Sequence, residues 1–355
     1  MRALKIVGIV VAAIAGVAAI ATATYVDNNL HTEERLIQKA CDAGFAEQQA
    51  NVDGHTINYA EGPNNGPALM LIHGQGVEWE DYAAVLPELA KRYHVFAVDC
   101  FGHGESEHDP SLYSCATIGD ALVSFAKNVI GGGYIVSGHS SGGILAAYVA
   151  SADTANVRAL MLEDPPLFRV TREEAQEGAG TFAWHDGYII AHSFLQQSDV
   201  KAYPAWYAEH SYLFGLFGGL QTLLAKQTAE FCKKHPGEHV PNAWVPRAWT
   251  RGMYFMDDFD PRFGDTFFDG SWMEGIDQEA MLRVIKCPTV FLKAITRYGD
   301  DGVLYAATSD EDADRVLKCL PGCGYITIDS GHDIHSEHPD AFVEAIDRAA
   351  SQVAS

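Results

Sequence analysis

The chain is predicted to fold as an α/β protein with a mostly parallel sheet covered on both faces and interrupted by an inserted cap. Three observations carry this prediction. Continuous apolar runs such as Ala68–His73 (ALMLIH) and His94–Cys100 (HVFAVDC) alternate with helix-length segments, the pattern of strands buried on both sides. The alternation stops at Pro165, gives way to an irregular aromatic stretch up to about Arg283, and resumes at Thr289–Ala294 (TVFLKA). Ahead of it, Ala46–Val52 and His55–Ala60 are joined by Asp53-Gly54, an antiparallel hairpin signal. With 355 residues, 48% of them hydrophobic, the chain can bury a large core.

The elements follow in order. Arg2 and Lys5 precede Ile6–Thr24, which contains no charged residue. At a helical rise of ~1.5 Å per residue this run spans roughly the hydrocarbon core of a bilayer. It exceeds the roughly 7–15 residues of a signal-peptide core, yet Ala21-Thr22-Ala23 has the small-x-small form of a cleavage site. Residues 1–24 are therefore read as a membrane anchor with its positive end inside and the body of the chain extracytoplasmic. A signal peptide removed on secretion is the alternative. A polar linker over Asp27–Lys39 leads into a core of residues 40–164 and 284–355, with a cap at 165–283. Helices are expected over Tyr82–Arg92, Ala116–Val129, Gly142–Ala152 and Pro339–Ala350. Strands are expected at Tyr134–Gly138, Val157–Glu163 and Tyr325–Ile328.

Composition excludes some classes. The formal net charge of −23 repels polyanions, so nucleic acid is not an expected partner. The seven cysteines form no zinc-binding pattern, and no cofactor is implied. Cys319-Leu-Pro-Gly-Cys323 is the one close pair, a candidate disulfide loop in an exported chain, while Cys100 and Cys287 read as buried thiols. The sequence carries no signal for oligomeric state.

Gly138-His139-Ser140-Ser141-Gly142 fits G-x-S-x-G, with a strand before it and an alanine-rich helix after it. Such a turn forces its central residue into strained backbone angles and leaves room for glycine alone two positions to either side. That selects Ser140, because centring the motif on Ser141 would place His139 in a glycine slot. The strand ending at Ile72 runs into His73-Gly74-Gln75-Gly76, a turn whose backbone can face a cavity. The N–H groups of Gln75 and Ser141 form the expected oxyanion hole.

These stretches, together with Asp99-Cys-Phe-Gly102-His-Gly104, resemble the α/β-hydrolase superfamily in its expected order. The resemblance runs from Ala46 to the C-terminus and is weakest through the cap. It implies an eight-stranded, mostly parallel sheet with a cap after the sixth strand, and a Ser–acid–His triad. It places the base at His332, after the strand YITIDS, in preference to His335 and His338. His338 reads as the start of the last helix and His335 as a loop residue. The acid is Asp164, at the end of the sixth strand, with Asp300, Asp301 and Glu163 as alternatives. The superfamily's commoner position, after the seventh strand, offers only Ile295-Thr296-Arg297-Tyr298 before the Gly299–Gly302 turn.

The expected reaction is serine-dependent hydrolysis of an apolar, neutral ester, carboxylesterase- or lipase-like, through an acyl-enzyme. The aromatic cap, with Phe182, Tyr188, Trp206 and Tyr207 among its residues, favours apolar substrates. Cleavage of a lactone or a C–C bond by the same triad, or ligand binding without turnover, are the alternatives.

Overall fold

The computed structural model describes residues 2–353, with side chains from Gly16 onward. Eight strands form one sheet: β1 (Ala46–Val52), β2 (His55–Glu61), β3 (Ala68–Ile72), β4 (His94–Val98), β5 (Tyr134–His139), β6 (Val157–Glu163), β7 (Thr289–Ala294) and β8 (Gly324–Ile328). Their spatial order is β1-β2-β4-β3-β5-β6-β7-β8. The β1–β2 hairpin and the β2–β4 pair are antiparallel, and every later pair is parallel. Asp53 and Gly54 both take positive φ, 53° and 97°, which the two-residue hairpin turn requires.

Register matters most for function. Ile72 of β3 lies opposite Gly138 of β5, Gly138 opposite Leu162 of β6, and Leu162 opposite Phe291 of β7. The central strands therefore end together, and the loops that leave them converge on one edge. β5 is buried along its whole length, whereas β8 alternates between half-buried and exposed positions as an outer strand does.

Helix Ser141–Ala152 follows β5 directly and packs against β5 and β6; its alanines and glycines permit that close approach. Helix Cys115–Phe125 starts at Ser114, whose hydroxyl accepts the Thr117 N–H. Helix Pro339–Ser351 lays Phe342, Val343 and Ile346 over the opposite face. The segment expected as one helix over Tyr82–Arg92 is instead two short turns, Trp79–Tyr82 and Leu86–Leu89, divided ahead of Pro87. Between β6 and β7 the described chain has helices and an isolated bridge at Thr181 but no longer strand. Tyr188, Phe263, Phe267 and Trp272 form the buried centre of this region, and Phe267 stacks on Trp272 at 4.3 Å.

Two expectations are corrected. The polar linker over Asp27–Lys39 is helical, part of one helix from Arg2 to Asp42. Its Glu, Arg, Leu, Gln, Lys and Ala residues favour helix, and neither Gly nor Pro interrupts them. Tyr25 donates to the Trp244 carbonyl, Asn29 to those of Ala243 and Val245, and Glu33 pairs with Arg247, so the helix is seated on the cap. The Cys319–Cys323 loop holds two free thiols, as do all the other cysteines; Cys319 is buried at the end of its helix and Cys323 half-buried beyond it. Among the described residues no helix is long and apolar enough to cross a membrane. Met1 and the side chains of residues 2–15, on which most of the expected anchor falls, lie outside the described residues.

A Cβ on Gly138 would sit 2.0 Å from the Gly142 carbonyl oxygen, and one on Gly142 would sit 2.2 Å from that of His73. Gly138→Ala is expected to lower stability by several kcal/mol or to prevent folding. Gly219→Ala, at a helix start with open space around it, is expected to change stability by under about 0.5 kcal/mol. Urea unfolding midpoints of the two variants check this.

Candidate active site

Ser140 is the single residue between β5 and its helix, with φ 54° and ψ −125°. A non-glycine residue held at such angles is strained, and hydrogen bonds from both sides hold it there. Its N–H donates to the Glu163 carbonyl at 3.0 Å, and its own carbonyl accepts from the Gly143 N–H at 2.9 Å. The Ser140 hydroxyl has no hydrogen-bond partner among the described residues and faces a cavity of about 500 Å³. Gly74 touches the other side of the elbow: a Cβ there would lie 3.1 Å from that of Ser140.

Two buried imidazoles brace the Gly74–Gly76 turn. His73 Nδ1 donates to the Gly74 carbonyl at 2.7 Å, while its Nε2 accepts the Cys100 N–H at 2.9 Å. His103 Nε2 accepts the Gly76 N–H at 3.1 Å, while its Nδ1 donates to the Phe101 carbonyl. Both must be neutral to accept, and burial agrees: it pushes His73 down to about 4 and His103 well below its ordinary value. Held this way, the N–H groups of Gln75 and Ser141 donate to no protein acceptor among the described residues, and both residues line the cavity.

His332 lines the same cavity as Ser140. Its Nδ1 lies 2.7 Å from Oδ2 of Asp164, which is fully buried. Asp164 sits just beyond β6 with φ 39°, and its Oδ2 also accepts the Ala307 N–H at 3.3 Å. Burial works against a charged His332, but the Asp164 carboxylate outweighs it and raises the imidazole above its ordinary value. His139 supports the loop from below, its Nε2 donating to the His332 carbonyl at 3.2 Å.

Behind this loop lies a dry charge network that the sequence did not disclose. His335, read as a loop residue, is fully buried in the short helix Ile334–Glu337. Its Nδ1 lies 2.9 Å from Glu163 and its Nε2 3.0 Å from Asp81. Burial opposes its charge, but Glu163 and Asp81 dominate and push it up to about 10. Arg251 of the cap pairs with Asp81 and lies 3.4 Å from Asp333, the neighbour of His332.

The remaining candidates fall away from the site. Glu163 is engaged by His335, and Asp300 lies exposed in a turn. Asp301, in the same turn, accepts the Tyr212 hydroxyl at 2.7 Å. His338 starts the last helix. His103 was missed because nothing in Gly102-His-Gly104 marks it as a brace. Side chains able to hold a metal ion come together at Asp81, His139 and His335, at His139, His332 and Asp333, and around His239 with Glu78, Glu80, Asp257 and Asp258. The first two groups are internal to the network above.

A sequence model described as the Alpha/beta hydrolase family matches residues 69–345, and the chain belongs to that family. Lipase LipV of Mycobacterium tuberculosis is 29% identical over 157 residues, covering 43% of this chain and 55% of that one. The chain spans less than two thirds of the length of the first curated relatives it matches. Among solved structures, a bacterial membrane phospholipase A superposes with TM-score 0.59 at 22% identity, over 100% of this chain and 99% of the other. The enol-lactonase from Burkholderia xenovorans LB400 gives 0.58 at 15% identity, over 86% and 100%. These structural likenesses establish the fold.

His335 contributes stability through its proton. Its folded pKa of about 10 exceeds the unfolded value near 6.5, so the contribution is complete below about pH 6.5 and declines as pH rises through 10. His335→Gln leaves Asp81 and Glu163 short of a cation and is expected to cost about 3–5 kcal/mol at neutral pH. That difference from wild type should shrink towards pH 10 when both are unfolded in urea.

Proposed function

We propose that the protein hydrolyses apolar carboxylic esters through an acyl-enzyme formed on Ser140. The observation that carries this reading is the 2.7 Å contact between His332 and buried Asp164, in the cavity that holds the strained Ser140. In this reading Ser140 Oγ attacks the acyl carbon while His332 Nε2 takes its proton. Asp164 holds the Nδ1–H tautomer and stabilises the imidazolium. The Gln75 and Ser141 N–H groups receive the oxyanion, each worth about 2.7–4 kcal/mol by analogy with other oxyanion donors. His332 then protonates the leaving alcohol, and water releases the acid by the same steps in reverse.

The cavity supports an apolar substrate. Phe182, Tyr203, Tyr207, Met256, Phe259 and Phe267 line it, and the Phe182 ring lies 5.2 Å from that of His332. Its volume lies within the range of sites that enclose small organic ligands. A series of p-nitrophenyl esters of increasing acyl length tests the reading. Ser140→Ala is expected to lower kcat about 10⁶-fold and Asp164→Asn about 10⁴-fold, while Asp300→Asn stays within about twofold. Activity that survives in Ser140→Ala, or saturable ester binding without turnover in wild type, removes the proposal. His332 must be neutral to act, and Asp164 raises it. The acid limb of kcat/KM should therefore lie above about pH 6.5 and move down in Asp164→Asn.

We also propose that residues 1–24 hold the protein at a membrane with its catalytic body on the extracytoplasmic side. Helix Arg2–Asp42 supports this, with Val17 68% and Ile20 69% exposed where it leaves the cap. The full chain is expected to remain with membranes in alkaline carbonate and a chain starting at Asp27 to be released. Release of both rejects the anchor.

A further inference from the structure

The loop after β7 brings no carboxylate to His332, yet it closes on the turn that carries Asp164. Asp164 enters that turn with φ 39°, a strained setting for a residue other than glycine. Its N–H donates to the Leu292 carbonyl of β7 at 2.9 Å. Pro165 and Pro166 follow and have no N–H to donate, so this part of the turn must be held through its carbonyls. The Asp164 side chain is lightly held as well. Its Oδ2 accepts from His332 at 2.7 Å and from the Ala307 N–H at 3.3 Å, while Oδ1 has no hydrogen-bond partner among the described residues. Where the carboxylate lies therefore depends on where the backbone puts it.

Two consecutive residues of the β7 loop meet this turn. Ala307 supplies the N–H to Asp164, and Thr308 donates its hydroxyl to the Pro165 carbonyl. The Leu167 N–H reaches the same carbonyl at 2.8 Å from within the turn itself. Thr308 is fully buried and lines no part of the cavity, whereas Ala306 and Ala307 do. Its hydroxyl is not a helix cap, because Ser309 fills that role for helix Asp310–Cys319 by accepting the Asp312 N–H. A buried hydroxyl is costly unless bonded, and valine would fill the same volume without one. Among the described residues the bond to Pro165 is the one that satisfies it. Further back, the loop is tied to the cap: Leu304 donates to the Gly180 carbonyl at 3.0 Å and accepts from the Phe182 N–H at 2.9 Å. The Phe182 ring in turn lies beside that of His332.

We propose that Thr308 is a positioning residue whose hydroxyl holds the Pro165 carbonyl, and with it the Asp164 carboxylate, against His332. The proposal rests on the reading of Asp164 and His332 as partners of Ser140. Burial opposes a charged His332, while Asp164, then Asp333 and Glu163, favour it. His139 faces it ring to ring at 4.4 Å, and Arg251 of the cap lies behind Asp333. Thr308 is hydrogen-bonded to none of these groups, so its loss reaches the imidazole through Asp164.

The test compares Thr308→Val, which keeps the volume and loses the hydroxyl, with Thr308→Ser, which keeps the hydroxyl, both in the full chain. Imidazole resonances of protein carrying isotope-labelled histidine are titrated, with His332 assigned by its absence in His332→Gln. In Thr308→Val the His332 pKa is expected to fall by about half a pH unit or more. With p-nitrophenyl butyrate its kcat should fall about 10-fold or more at unchanged KM, since slight misplacement of a catalytic group is enough for such a loss. Thr308→Ser should match wild type in both readouts. The titration needs no turnover, so it decides the proposal even where wild type cleaves no ester. The proposal is overturned if folded Thr308→Val keeps the wild-type His332 pKa, or if Thr308→Ser loses it as the valine does. Should Thr308→Val not fold, Thr308→Ala takes its place; an unchanged pKa there, or failure of both to fold, equally rejects positioning.

Discussion

The contact on which the rest of the structure depends is backbone against backbone, where the Ser140 elbow crosses the end of β3. Gly142 lies so close to the Ile72 and His73 carbonyls that a single added carbon would collide with both. Gly74 in turn rests against Ser140 and His139. The Ser140 elbow and the Gly74–Gly76 turn are therefore one packed unit, and moving either displaces the other. The positive φ at Ser140 is the cost of the crossing, of order 1–3 kcal/mol, and the buried sheet on both sides supplies it. Because β3, β5, β6 and β7 end in register, Asp164 and the loop carrying His332 arrive at the same edge.

Electrostatics fix the other half of the site. His332 rests on a loop whose next residue, Asp333, faces both Arg251 and His139. Arg251 belongs to the cap, Asp81 to the segment after β3, Glu163 to β6 and His335 to the turn before the last helix. Ion pairs this dry gain little net stability over apolar packing, because desolvation consumes most of the attraction. Breaking one, however, strands a charge in the interior. The network thus penalises any shift of the His332 loop relative to the sheet and the cap, more than it adds to overall stability. Glu33 of the long N-terminal helix extends it, lying 3.9 Å from Arg251 Nε and pairing with Arg247.

What the sequence disclosed follows from which constraints are local. Ser140 was legible because its glycine spacing reflects crowding within five consecutive residues. The parallel strands were legible because burial on both faces writes an unbroken apolar run. Asp164 could be ranked but not isolated, since Glu163 beside it is equally acidic and the two differ only in which face of the strand they occupy. His335 was misread for a related reason: its partners Asp81 and Glu163 lie 254 and 172 residues away, and pairing across such separations leaves no periodicity. The helix over Asp27–Lys39 read as linker because its polar faces look solvated until Trp244, Val245 and Arg247 are seen beneath it.

The cap is joined to the body by polar ties of two kinds. Arg251 reaches inward and pairs with Asp81, with Asp333 3.4 Å and Glu33 3.9 Å away. At the other tie, Glu78, Glu80 and Asp257 share one imidazole, and a buried carboxylate oxygen is left over. Both ties abut the cavity, one next to the His332 loop and one next to the Gly74–Gly76 turn. At both ties the protein supplies its own cation: a guanidinium at the first, and at the second an imidazole that burial opposes but Asp257, Glu80 and Glu78 push up to about 11.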